Sequence, residues 1–295
     1  MFVINLQLWP IREERDMSIK ITTLIEDSKN EESELIEEHG LSMFINTPRC
    51  NIIFDTGASG NFIKNADKLN IDLHETNYMI LSHAHYDHCG GVRSFIENIK
   101  CYPELYVSKN FFENSNKFKI GKDRENKYLG IDFDEKYLID NGIPINYVEE
   151  DILEIEPNIF IATNFKEDNS FEEFTSNMVI KKGEGYILDN FKEEVALAID
   201  TYKGLVVLVG CSHVGIANIL NNISKRLNKR IYAVLGGTHL IKCDENRINK
   251  TIEVFNELDI NIIGVSHCTG EFATMKLEEL KDRFFLNNTG NILEI

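Results

Sequence analysis

Tyr78-Met79-Ile80-Leu81-Ser82-His83-Ala84-His85-Tyr86-Asp87-His88-Cys89-Gly90-Gly91 decides the reading of this chain. An apolar run stops at a serine. Three of the chain's eight histidines and an aspartate follow in the pattern H-x-H-x-D-H, and a Gly-Gly pair closes the stretch. Val92, Phe95, Ile96 and Ile99 then recur at helical spacing. The histidines therefore sit where a strand gives way to a loop and then to a helix. Period-two geometry sends His83 and His85 to one side of the strand, while Asp87 and His88, beyond it, can turn to a second point. Neutral imidazole and carboxylate suit zinc, iron or manganese, so one short loop can feed two metals. The two glycines are expected to let the backbone approach a bound group, and the helix start to favour an anion.

The same arrangement recurs along the chain. Asn51 to Phe54 ends in Asp55-Thr56-Gly57, and Leu205 to Val209 in Gly210-Cys211-Ser212-His213. Ile231 to Leu235 ends in Gly236-Gly237-Thr238-His239, and Ile260 to Val265 in Ser266-His267-Cys268-Thr269-Gly270. In open α/β sheets ligands bind beyond the carboxyl ends of the strands. Asp55, the 83–88 cluster, His213, His239 and His267 are thus expected to converge on one edge. His39, before Gly40 at a strand start, is a candidate to reach that edge, whereas His74 reads as exposed. Cys89, Cys211 and Cys268 lie within two residues of proposed ligands. They read as small buried residues first, with soft ligands or redox-sensitive neighbours as the alternatives.

Composition bounds the rest. A chain of 295 residues with 43% hydrophobic and 27% charged content is an ordinary globular protein. A net charge of −17 argues against nucleic acid as a partner. Six cysteines without a C-x-x-C pair argue against a disulfide framework and for a reducing cytoplasm. No apolar run has the length of a membrane span, so no membrane partner is expected. Residues 1–16 lack a basic leader. They read as an extension outside a single domain over 17–295, with a first strand at Phe2 to Leu8 as the alternative.

Strands are expected at 19–25, 41–46, 51–54, 78–81, 105–107, 145–148, 158–162, 178–181, 185–188, 195–199, 205–209, 231–235, 260–265 and 284–286. Helices fit 62–69, 92–99, 216–227, 248–258 and 271–280. Between Lys109 and Ile143 the pattern breaks down, which reads as a lid-like insertion. Its 109–127 part runs against the net charge, with Lys109, Lys117, Lys119, Lys122, Arg124 and Lys127 facing only three acids. Lys119 and Lys122 are expected to attract an anionic substrate, and Phe111, Phe112 and Phe118 to stack on a flat ring. A solvated face is the alternative.

Ser82-His83-Ala84-His85-Tyr86-Asp87-His88 and Phe54-Asp55-Thr56-Gly57 resemble the signature of the metallo-β-lactamase superfamily. Leu208 to Ile216, Leu235 to Leu240, Ser266 to Gly270 and Glu38 to Ser42 are similar to one branch of it. That branch is the 7,8-dihydropterin-6-yl-methyl-4-(β-D-ribofuranosyl)aminobenzene 5′-phosphate synthases. The resemblance implies an α/β fold: an αββα sandwich of two mixed β-sheets with outer helices and metals at one edge. It implies one or two divalent ions, zinc first and iron or manganese next. His83, His85 and His213 would hold one ion; Asp87, His88 and His267 the other. Hydrolytic members place a bridging aspartate between their last two histidines. Here that strand end offers His239, and Asp244, Glu245, Glu253, Glu257 and Asp259 fall in a loop or helix, which predicts unequal metal affinities. Asp87 and His239 are the expected catalytic side chains; Asp55, His39, His239, Lys119 and Lys122 are expected behind the ligands or at the substrate. The implied reaction is a C–N bond-forming transfer to a pterin with loss of pyrophosphate. Hydrolysis of a phosphodiester, thioester or lactone is the alternative, and metal or redox binding without catalysis the third. The expected partner is a small anionic molecule, a pterin or phosphate ester; the oligomeric state is left open.

Overall fold

Alternation along the strands builds two layers. In the first, Ile52 and Phe54 turn to one side of their strand and Ile53 to the other; Met43 and Ile45 oppose Phe44 in the same way. The structure, a computed structural model, describes residues 18–121, 126–172 and 177–295. The readings made for residues 1–16, Lys122 and Arg124 lie outside these.

Seven strands form the first sheet, in the order Ile292–Glu294, Lys20–Ile25, Ser42–Asn46, Asn51–Phe54, Tyr78–Ile80, Glu104–Ser108, Ile145–Val148. Seven form the second, in the order Phe284–Leu286, Ile262–Ser266, Ile231–Gly237, Gly204–Val209, Ala196–Thr201, Ile159–Ala162, Ile152–Glu156. Each sheet is antiparallel on one side and parallel on the other. Parallel neighbours need crossovers, and these supply most of the outer helices: Asn61–Lys68, Val92–Ile99, Ile216–Leu227 and Glu245–Glu257.

Three apolar layers result. Ile21, Met43, Phe54 and Ile80 of the first sheet meet Ile161, Leu197, Leu208 and Leu235 of the second. Phe62, Phe95 and Ile96 cover the outer face of the first sheet. Ile219, Leu220, Ile223 and Phe255 cover that of the second. This is the expected αββα sandwich. Because the parallel strands of each sheet run in one direction, their carboxyl ends lie together along one edge.

Two departures concern function. The 109–143 stretch is not patternless. Lys117–Ile120 and Asn126–Tyr128 join Met178–Lys182 and Gly185–Leu188 in a separate four-stranded sheet, and Glu135–Asp140 is helical. The first two strands are short and charged, and Lys117–Ile120 buries its lysine instead of its isoleucine, which hides the strand from an apolar pattern. The aromatic expectation also fails. Phe111 is wholly buried in the first-sheet core with Phe112 and Phe133 against it, and Phe118 packs on Tyr128 and Tyr186. Among the described residues no helix is long and apolar enough to cross a membrane.

Candidate metal centre

The loop after Tyr78–Ile80 is held from behind by one carboxylate. Asp55, fully buried, accepts hydrogen bonds from the Ser82 amide (2.7 Å), the Ser82 hydroxyl (2.7 Å) and His88 Nδ1 (2.6 Å). With its proton on Asp55, the Ser82 oxygen is left to accept from His83 Nδ1 at 2.9 Å. Both rings are thereby oriented, and the Nε2 lone pairs of His83 and His88 turn away from Asp55. Asp55 thus lies behind these rings.

Around this pair the other imidazoles gather. The ring centroids of His83, His85 and His213 lie 4.6, 4.8 and 4.9 Å apart. His83 Nε2 and His85 Nδ1 point at each other across 2.9 Å. His85 Nε2 and His213 Nε2 are buried without any hydrogen-bond partner. Burial, then neighbouring imidazoles, lower the basicity of His83 well below its ordinary value. Burial does the same for His85, helped by Lys117, and for His213, helped by His239. All three rings are neutral near pH 7, the form that ligates metals.

The second group forms on the other side of the loop. His267 Nδ1 meets Asp27 Oδ1 at 2.6 Å, and its Nε2 stands 3.4 Å from Asp87 Oδ2. Its ring centroid is 5.1 Å from that of His88. His39 reaches the site at its mouth, with Nδ1 2.9 Å from Asp27 and Nε2 3.2 Å from Asp87. A Cβ at Gly40 would stand 2.4 Å from the Asp87 carbonyl oxygen, so only glycine lets the His39 turn lie on the loop. Burial pushes the Asp87 carboxyl up, but hydrogen bonds from His267 and His39 outweigh it and hold the group well below the carboxylate range. His39, hydrogen-bonded to Asp27 and Asp87, is pushed up to about 9.

His239 projects beside the first group, its ring centroid 4.3 Å from that of His213 and its Nδ1 unpartnered. Asp55, Ser212, His239 and His267 all have φ between 52° and 60°. These non-glycine residues in the left-handed region mark four of the strand ends as strained, a recurrent property of functional edges. The edge opens into a cleft of about 370 Å³ whose rim carries Lys119, Lys127, Lys242 and Arg247. Burial, then Lys242 and Lys127, lowers the pKa of Lys119, so these ammonium groups face one another. His74 is exposed and paired with Asp72, away from the cleft.

The glycine expectation is corrected. Cβ atoms at Gly90 and Gly91 would stand 2.2 Å from Ala58 O and 2.3 Å from Thr56 O. These glycines seat the loop on the Asp55 turn and do not admit a ligand. Lys117 is corrected too: it is wholly buried, bound to Asp189 and Glu193, with Nζ 4.4 Å from the centre of the Phe191 ring.

Four contributors were not read from sequence. Asp27 lies just past the strand Lys20–Ile25, and the strand-end rule applied to the other elements would have found it. Glu194 accepts from the amides of His213 and Val214, each at 2.8 Å; burial pushes its carboxyl up to about 8 against those bonds. Phe191 stacks on His213, 3.9 Å between centroids and 7° between planes. Lys117 holds Phe191 from the other direction. For these three no local signal exists.

The orphaned nitrogens test whether a cation fits. A buried imidazole nitrogen without a partner is costly, and here three are left without one: His85 Nε2, His213 Nε2 and His239 Nδ1. Several donor sets lie mutually within 4.8 Å, among them His83–Cys211–His213 and His88–Cys211–His267. The residues fit a divalent cation.

The model of the metallo-β-lactamase superfamily matches residues 35–162. A synthase of Methanocaldococcus jannaschii, the 7,8-dihydropterin-6-methyl-4-(beta-D-ribofuranosyl)-aminobenzene-5'-phosphate synthase, is 33% identical across 94% of this chain and 97% of its own. This chain belongs to the metallo-β-lactamase superfamily. A second, uncharacterized protein of the same organism is 30% identical over 88% of this chain and 94% of its own. Among solved structures, the superfamily hydrolase Tm1679, described as metal-dependent, superposes with a TM-score of 0.79. It is 31% identical, covering 94% of this chain and 99% of that one.

Proposed function

We propose that the chain is a metal-dependent enzyme acting on a small phosphorylated substrate at the cleft edge, with His83, His85 and His213 holding one divalent ion and Asp87, His88 and His267 a second. The convergence of neutral, buried and unpartnered imidazole nitrogens on a lysine-rimmed cleft carries this reading. A cation bound there supplies Lewis acidity toward phosphoryl oxygens. Lys119, Lys127 and Lys242 draw the anion in and hold its phosphate. The four-stranded sheet that carries Lys119 and Lys127 works as a lid on the sandwich. His239 Nδ1, free at the cleft wall, takes the proton that the incoming nucleophile loses. Asp55 and Asp27 keep the ligand rings in place.

For the reaction, the near full-length similarity to the synthase favours C–N bond formation. The nitrogen of an arylamine ribosyl phosphate attacks the pterin methylene carbon, the C–O bond to pyrophosphate breaks, and the leaving group departs with the electron pair. Hydrolysis is the second reading, supported by the 31% identity to the metal-dependent hydrolase. Zinc-loaded protein is given a hydroxymethyl-dihydropterin pyrophosphate with the arylamine ribosyl phosphate, and separately a phosphodiester; products are identified by mass spectrometry. The coupled product supports the synthase; water-cleaved products alone support the hydrolase. Turnover of neither with zinc, iron or manganese overturns the enzymatic reading.

A further inference from the structure

We infer that Cys211 is the ligand shared by the two halves of the centre: a thiolate bridging the His83–His213 side and the His88–His267 side. This deepens the metal-dependent reading above and rests on it.

The first observation is positional. Cys211 Sγ belongs to two clusters of mutually close donor atoms at the centre, with His83 and His213 in one and His88 and His267 in the other. No other residue of these two clusters is common to both. A third set joins the same sulfur to His239 and Cys268. The turn Gly210-Cys211-Ser212-His213 follows the strand Gly204–Val209 and brings Cys211 within reach of both groups of rings.

The second is what the sulfur touches. Cys211 is 3% exposed, and its Sγ lies 3.1 Å from His88 Nε2. His88 Nδ1–H donates to Asp55, which leaves a lone pair on Nε2. Sulfur and imidazole nitrogen thus meet as neighbouring donor atoms. Cys268, the neighbouring thiol, is differently engaged: its Sγ donates to the Cys211 carbonyl at 3.3 Å and accepts from the His239 amide at 3.3 Å. Cys268 ties two strand-end turns together; Cys211 faces the donors.

The third is the missing oxygen bridge. Asp87 is placed with His39 and His267 on one side of the centre. Asp244 caps the helix Glu245–Glu257 by accepting from the Arg247 amide. A neutral imidazole has one free lone pair and bridges two cations poorly, so His239 does not fill the gap, whereas a thiolate has several. Thiolate also selects the metal: it suits zinc or cobalt and disfavours magnesium and manganese.

The test uses the full chain reconstituted with Co(II), read by metal analysis and near-ultraviolet absorption, with circular dichroism on every variant. Wild type is expected to bind about two ions and to show a thiolate-to-cobalt charge-transfer band. Cys211→Ser should lose the band and fall to about one ion per chain. Cys211→Asp should regain the second ion without the band, because a carboxylate bridges but gives no such transition. Cys268→Ser should keep both band and stoichiometry. A wild type that binds cobalt without the band, a band that survives Cys211→Ser, or a band lost in Cys268→Ser overturns the inference and leaves the metal-dependent reading intact. A wild type that binds no cobalt or zinc overturns both.

Discussion

Replacing Lys117 with methionine tests how the centre is anchored. Lys117 is buried with its ammonium bound to Asp189 and 2.7 Å from Glu193 Oε1. At an effective dielectric of about 20, a contact of 2.7 Å is worth roughly 6 kcal/mol of Coulomb energy. Most of that is offset by the cost of dehydrating the ammonium. Methionine fills a similar volume but leaves two buried carboxylates facing each other. Breaking such a buried group by removing one partner costs about 3–5 kcal/mol, a large part of the roughly 5–15 kcal/mol that holds a domain together. The midpoint of urea unfolding of metal-free protein should fall accordingly. Adding Asp189→Asn and Glu193→Gln to Lys117→Met should recover most of the loss. The amides carry no charge, and the amide oxygen introduced at position 189 can still accept from the Phe191 N–H, as Asp189 does at 2.9 Å. A second readout follows from geometry. Phe191 lies between Lys117 and His213, so the single variant should also weaken metal binding. A loss below about 1 kcal/mol, or a triple variant no more stable than the single one, would refute the argument that charge pairing holds this segment.

Three further outcomes are expected. Asp55→Asn puts an amide where His88 Nδ1 and Ser82 need an acceptor; zinc affinity by competition titration should drop about 10–100-fold, and an unchanged Kd would remove Asp55 from its supporting role. In metal-free protein, His39 is raised from 6.5 to about 9 by Asp27 and then Asp87. Its stabilising effect should be full below about pH 6.5 and vanish as pH rises through 9, so the stability difference between wild type and His39→Gln must shrink over that window; a constant difference contradicts the pairing. Lys119→Glu with Lys127→Glu should raise KM for a phosphorylated substrate by about tenfold, flatten its salt dependence and spare a neutral ester; equal losses on both substrates would mean that the lid charges do not recognise the anion.

How much of this was legible depended on sequence distance. Each strand end that carries a histidine is a local event: an apolar run, a small-residue turn and a donor, all within a dozen residues. Such segments read correctly because strand geometry fixes where the donor goes. The αββα layering was legible for the same reason, since alternating runs such as Asn51–Phe54 and Ser42–Asn46 declare two faces. What escaped was whatever the chain brings from far away. Asp27 is 240 residues from the His267 ring it orients, and in sequence it opens a polar acidic loop. Glu193 and Asp189 look like surface acids until Lys117, more than seventy residues earlier, is found between them.

The four-stranded sheet illustrates a different limit. Its strands Lys117–Ile120 and Asn126–Tyr128 are short and charged; they pair with each other, and Lys117–Ile120 takes its second partner from Met178–Lys182. Lys117-Phe118-Lys119-Ile120 alternates, but it buries its lysine and exposes Ile120, and Asn126–Tyr128 is exposed throughout, so the pattern does not declare a core face. Cys211 marks the last limit. A cysteine two residues before a candidate ligand histidine is ordinarily a small buried residue, and the sulfur here is indeed buried. What sets it apart is that its sulfur lies within reach of both groups of imidazoles, next to the left-handed turn at Ser212, φ 60°, that leads on to His213. Sequence names both residues but not that proximity. A bridge sought only among carboxylates is not found, whereas the strand end brings one sulfur within reach of both donor groups.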